Sequence, residues 1–144
     1  MRTTANTKGM PTMTEKLSKH FTYDELKCKH CGDLKIEFAL LEGLEHLRTI
    51  VDRPIIVNSA YRCPEHKDSK KNPNSYHIKG LAADIRVDMM PLTELYLAAE
   101  KVTAFRNGGI GIYPDDDFIH VDCRIGHARW ARIDGEYVGI EAAL

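Results

Sequence analysis

Ser75-Tyr76-His77-Ile78-Lys79-Gly80-Leu81-Ala82-Ala83-Asp84-Ile85-Arg86-Val87 is the stretch on which the reading turns, together with Asp117-Phe118-Ile119-His120-Val121-Asp122. The first supplies an imidazole and, seven residues on, a carboxylate. The second supplies a carboxylate and, three residues on, another imidazole. Two histidines and one carboxylate suffice to hold a catalytic zinc ion with one position left to water. The remaining carboxylate, Asp117, then suits the proton carrier that such a site needs.

The segment after Gly80 is apolar except for Asp84 and Arg86 and reads as a buried strand. A carboxylate in such a strand is costly unless something pairs with it, and a metal ion is one such partner. Phe118, His120 and Asp122 alternate with period two and share one face of a second strand. Two adjacent strands would bring His77, Asp84 and His120 to one point. Taken singly, each of these residues also fits an ordinary satisfied polar group.

As a set, Ser75-x-His77-x-x-Gly80-x-Ala82-x-Asp84 followed by Asp117-x-x-His120-Val121-Asp122 resembles the zinc D,D-peptidases of cell-wall metabolism. These comprise D-alanyl-D-alanine carboxypeptidases, vancomycin-resistance dipeptidases and the L-alanyl-D-glutamate endopeptidases of phage lysins. Asn58-Ser59-Ala60-Tyr61-Arg62 is similar to the family's Ser-Gly-Tyr-Arg element, with Ala60 in place of the commoner glycine. The resemblance extends from about Phe21 to Trp130 in matching order. It departs in the loop after Arg62, where Lys67 and Lys70-Lys71-Asn72 stand in place of an Asn and a Gly-Gly pair.

The resemblance implies an α+β domain of the hedgehog/D,D-peptidase type, a small, mainly antiparallel sheet with helices packed on it. It implies one catalytic Zn2+ on His77, Asp84 and His120, with Asp117 as the base and Arg62 stabilising the oxyanion or clamping a substrate carboxylate. Ser75, Tyr61, Asp122 and Trp130 are then candidates for substrate contact or for orienting the ligands. The implied substrate is a peptidoglycan stem peptide, and an internal, endolysin-type cut is favoured over removal of a terminal D-alanine. The alternative is an inactive zinc-containing binding module of the same fold.

The rest of the chain fits a single domain. At 144 residues and 43% hydrophobic, it is long enough for a core. A net charge of -1 gives no general attraction to nucleic acid or anionic lipid, and no apolar run has the length of a membrane span. A monomer is expected. Residues 1–19 lack apolar periodicity and a signal-peptide core, so they read as a flexible tail, with alternative starts at Met10 or Met13, before a zinc peptidase domain at 20–144. A wall-directed enzyme without a signal would be made in the cytoplasm and act after phage-type release.

Thr22 and Glu25 form a capping box after Phe21. Cys28-x-x-Cys31 is compatible with half a zinc ribbon, a redox pair or a disulfide. Cys63 and Cys123 are isolated in sequence, and a cytoplasmic origin favours free thiols. The spacing predicts a helix over 36–51, a strand over 54–58 and a polar loop over 63–74 rimming the site. It further predicts a helix over 91–105, a strand over 110–113 and a turn at 114–117.

Overall fold

The computed structural model describes residues 15–144. The expected tail and the starts at Met10 and Met13 lie outside the described residues up to position 14. Residues 15–19 are tied to the domain: Lys16 bridges to Thr22, Leu17 packs against the core, and Ser18 Oγ donates to Glu45. The first helix, α1 (Tyr23–Leu26), is closed by the capping box, with Thr22 Oγ1 accepting from Glu25 N–H and Glu25 accepting from Thr22 N–H. Phe21 is buried just outside it.

Helix α2 (Phe38–Val51) buries Leu40, Leu44 and Leu47, the stripe that helical periodicity requires. It leads to β1 (Ile56–Ser59), and α3 (Lys67–Lys71) then occupies part of the segment expected to be loop. The helix is short, and His66 supplies its cap by accepting from Asp68 N–H. Strand β2 (Ala82–Arg86) follows.

The predicted helix over 91–105 is two helices, α4 (Leu92–Ala99) and α5 (Thr103–Arg106). The break falls at Val102, whose backbone is extended at φ -90° and ψ 114°. It brings the Phe105 ring onto Gly43 of α2, so close that a Cβ there would stand 2.8 Å from Cζ. Burial of a whole phenyl ring outweighs the lost helical bonds.

Strands β3 (Gly109–Tyr113), β4 (Phe118–Asp122), β5 (Ala128–Ile133) and β6 (Glu136–Val138) complete one sheet of order β1-β2-β4-β3-β5-β6. Every pairing is antiparallel except β3 with β5. The expected α+β architecture is therefore observed. Alternation sends Ala83, Ile85, Ile110, Ile112, Ile119 and Val121 into the core with the helices. Asp84, His120, Tyr113, Phe118 and Trp130 point to the other face, into an open cleft. Among the described residues no helix is long and apolar enough to cross a membrane.

Candidate metal centre

Sheet register builds the site. Asp84 of β2 lies opposite His120 of β4, His120 opposite Gly111 of β3, and Gly111 opposite Trp130 of β5. On the other side, β1 is irregular between Val57 and Ser59, and this brings Ser59 opposite Asp84. One row across the sheet thus carries Ser59, Asp84, His120, Gly111 and Trp130. Gly111 leaves room for the indole: a Cβ there would stand 2.4 Å from Trp130 Cε2 and Nε1. The ring settles with its centroid 5.2 Å from that of His120, and its Nε1–H donates to Tyr113 Oη at 2.9 Å.

His77 arrives from the turn before β2. Gly80 ends that turn at φ 73°, in the left-handed region, with its Cα against the Lys35 carbonyl. Within the turn, His77 N–H donates to Ser75 Oγ at 3.2 Å. His77 Nδ1–H donates to the Ala60 carbonyl at 2.7 Å, which turns Nε2 toward Asp84 Oδ1 at 3.3 Å. His120 Nδ1 meets the same oxygen at 3.0 Å. Donor atoms of His77, Asp84 and His120, all buried, lie within 4.8 Å of one another.

Each group has a second contact behind it. His120 Nε2 donates to Asp122 Oδ2 at 2.7 Å, and Asp122 is fully buried, accepting also from Gly109 N–H and from the Arg124 backbone and guanidinium. Asp84 Oδ2 accepts from Arg62 Nη2 at 3.0 Å, while Arg62 Nε donates to Ser59 Oγ at 3.0 Å. Burial would raise both carboxyls. The histidines beside Asp84, and His120 with Arg124 beside Asp122, hold them well below the usual carboxylate range. Burial would lower His120, but Asp122 and Asp84 on either side hold its imidazole above its ordinary value. Two buried carboxylates flanking one ring favour a cation there. A divalent metal replacing the Nδ1 proton satisfies the same electrostatics, and imidazole nitrogen with carboxylate oxygen suits zinc.

The centre lies in the floor of a cleft of about 570 Å³. Its wall includes the Arg124 guanidinium, 4.4 Å from the Tyr76 ring centroid and 5.0 Å from that of Trp130. The segment over 63–74, which carries α3, lines the cleft through Asp68, Asn72 and Asn74.

The structure thus brings His77, Asp84, His120, Arg62, Asp122 and Trp130 together, with Ser75 at the cleft edge. Tyr61 belongs to the hydrophobic core and is not among the cleft residues. Asp117 is exposed at the head of β4 at φ 55°, outside the cleft lining. Arg124 joins the cleft beyond the residues expected from sequence. Its only sequence signal is its position two residues after Asp122, which says nothing of the aromatic rings it covers.

Two histidines and one aspartate, buried, convergent and supported from behind, define a candidate mononuclear metal centre open to a peptide-sized cleft. The chain belongs to the Peptidase M15 family, whose model matches residues 19–122. It is similar to the probable peptidoglycan L,D-endopeptidase MepK of Haemophilus influenzae, at 53% identity over 49 residues, 34% of this chain and 25% of that protein. It is also similar to the peptidoglycan L,D-endopeptidase MepK of Escherichia coli K12, at 36% identity over 70 residues, 49% of this chain and 35% of that protein. The chain thus aligns with about a third or less of the length of these relatives.

Proposed function

We propose that this chain is a zinc-dependent peptidase that hydrolyses peptide bonds within bacterial peptidoglycan stem peptides, with an endolysin-type internal cut. The observation that carries the reading is the buried His77–Asp84–His120 set at the floor of the cleft, each member oriented by a second partner. Family membership and the names of the relatives support the substrate class.

His77 through Nε2, Asp84 through Oδ1 and His120 through Nδ1 would hold the ion. When bound, zinc supplies Lewis acidity for the scissile carbonyl and makes water a competent nucleophile near neutral pH. Ala60 and Asp122 fix the two imidazoles, so the lone pairs facing the centre are available without rearrangement. Arg62 holds the Asp84 carboxylate and reaches the cleft, where its charge favours a developing oxyanion. Arg62 and Arg124 are paired with Asp84 and Asp122, and Arg132 adds a further cation to the cleft lining, where it could meet a substrate carboxylate. Asp117 is the proposed proton carrier on its spacing before His120. It stands beside Phe118, which lines the cleft, and its exposure leaves it in exchange with solvent protons. Tyr76 and Trp130, with Arg124 against both rings, form one side of the cleft along which the peptide would lie.

Digestion of purified peptidoglycan, with mass spectrometry of the fragments, tests this reading. Soluble fragments from internal cleavage of the stem are expected. Free D-alanine as the main product, with cross-links and stems intact, would overturn the internal cut. Zinc and wall binding without hydrolysis would make the chain a binding module.

A further inference from the structure

Cys28, Cys31 and Cys63 offer a second place where donor atoms converge, apart from the cleft and unused by the proposed reaction. Their sulfurs lie within 4.8 Å of one another. Cys28 and Cys31 sit on one tight turn: Cys28 N–H donates to the Asp33 carbonyl at 2.7 Å, and Gly32 N–H donates to the Cys28 carbonyl at 2.8 Å. Cys63, distant in sequence, arrives from the end of β1. Backbone amides are aimed at two of the sulfurs, Cys63 N–H at Cys28 Sγ (3.3 Å) and Asp33 N–H at Cys31 Sγ (3.4 Å). His30 Nδ1 stands 3.5 Å from Cys63 Sγ.

We propose that Cys28, Cys31 and Cys63, with the His30 imidazole as fourth donor, hold a structural zinc ion. Three converging sulfurs, with an imidazole nitrogen 3.5 Å from one of them, are the donor types of the closed tetrahedral sets of three cysteines and one histidine in structural zinc sites. A disulfide explains the arrangement less well, because one bridge uses two sulfurs and leaves the third without a partner. His66, also near, already uses Nδ1 to accept from Asp68 N–H. Binding displaces the thiol protons to solvent, so no oxidant or reductant is involved.

The site also has a mechanical consequence. Cys63 follows Arg62 directly, and the Ala60 carbonyl three residues before it orients His77. An ion on Cys63 clamps this segment to the turn after α1, so the second site supports the geometry of the first.

The test uses the full chain carrying His77→Ala and His120→Ala, which disables the cleft site whatever its chemistry. Titrated with Co2+ under reducing conditions, it should bind one equivalent with a thiolate-to-cobalt charge-transfer absorption, and one equivalent of Zn2+ should abolish that signal. Cys31 is exposed, so Cys31→Ser should fold normally and lose the band. Cys123→Ser should keep it. His30→Ala should raise the dissociation constant by at least the ~10–100-fold that loss of an orienting partner costs. Absence of the band, a band unaffected by Cys31→Ser, or a disulfide between any two of the three cysteines in wild-type protein purified anaerobically without reductant would overturn the site. Unchanged affinity in His30→Ala would overturn the fourth ligand. These readouts do not depend on hydrolysis, so they stand or fall separately from the peptidase reading.

Discussion

Asp122→Asn perturbs the centre without touching a donor atom. In the native protein the ionised Asp122 accepts from His120 Nε2–H at 2.7 Å, which fixes the ring proton on Nε2 and leaves Nδ1, 3.0 Å from Asp84, for the metal. Asparagine can keep its carbonyl oxygen toward Gly109 N–H and Arg124 N–H, the partners of Oδ1. Its amide NH2 then replaces Oδ2 and faces His120 Nε2 as a donor. The imidazole must either leave two donors opposed or move its proton to Nδ1, the atom the metal requires. Loss of such an orienting contact typically lowers metal affinity by ~10–100-fold. That corresponds to about 1.4–2.8 kcal/mol at about 1.4 kcal/mol per decade. Arg124 loses its charged partner but is partly exposed and can turn to solvent, so the cost in folding should be about 1–3 kcal/mol. The assay is zinc competition against a chromophoric chelator, with urea unfolding alongside to confirm that the variant is folded. A folded Asp122→Asn protein with wild-type zinc affinity would refute the assignment of Nδ1 as the donor and of Asp122 as its support.

Gly111→Ala would place a Cβ 2.4 Å from the Trp130 ring; overpacking of this kind costs about 1–3 kcal/mol. Fluorescence of the single tryptophan should shift as the indole leaves Tyr113, and an unchanged spectrum would contradict the packing. Asp117→Ala should retain zinc and stability while hydrolysis falls by ~10²–10⁴-fold, with Asp116→Ala as a nearly silent control; full activity in Asp117→Ala would remove it as proton carrier. Arg129 grips Glu100 with two bonds and holds its carboxyl below its ordinary value, despite burial that opposes this. This stabilisation is complete above the unfolded value of about 4.3 and is lost as pH falls through the lower folded value. Glu100→Gln should therefore unfold more easily than wild type at neutral pH, with the gap closing in acid; a gap independent of pH would contradict the pair.

The candidate ligand set was legible through the resemblance of its two motifs, since local pattern alone leaves each residue readable as an ordinary polar group. His77 and Asp84 flank one glycine turn and strand, and period two alone puts His120 and Asp122 on one face. Arg62 was legible as a site residue, but its bond to Asp84 depends on the irregularity in β1, which no local signal marks. The convergence of Cys63 with Cys28 and Cys31 was invisible because 35 residues separate Cys63 from Cys28, and only packing of β1 against the turn after α1 joins them. Helical periodicity ran through Val102, since Leu95, Ala99 and Val102 are all buried, yet the chain breaks there to seat Phe105 on Gly43. The β5–β6 hairpin carries a local signal in Asp134-Gly135, both at positive φ, a favoured two-residue hairpin turn.

His77, Asp84 and His120 are proposed to hold the metal on which hydrolysis depends. Zinc per chain by elemental analysis, measured on the same samples as stem-peptide hydrolysis for His77→Ala, Asp84→Ala and His120→Ala, tests this assignment most directly. Each variant should lose one zinc relative to wild type and lose hydrolysis with it. Any one of the three that keeps both the wild-type zinc content and full activity contradicts the account.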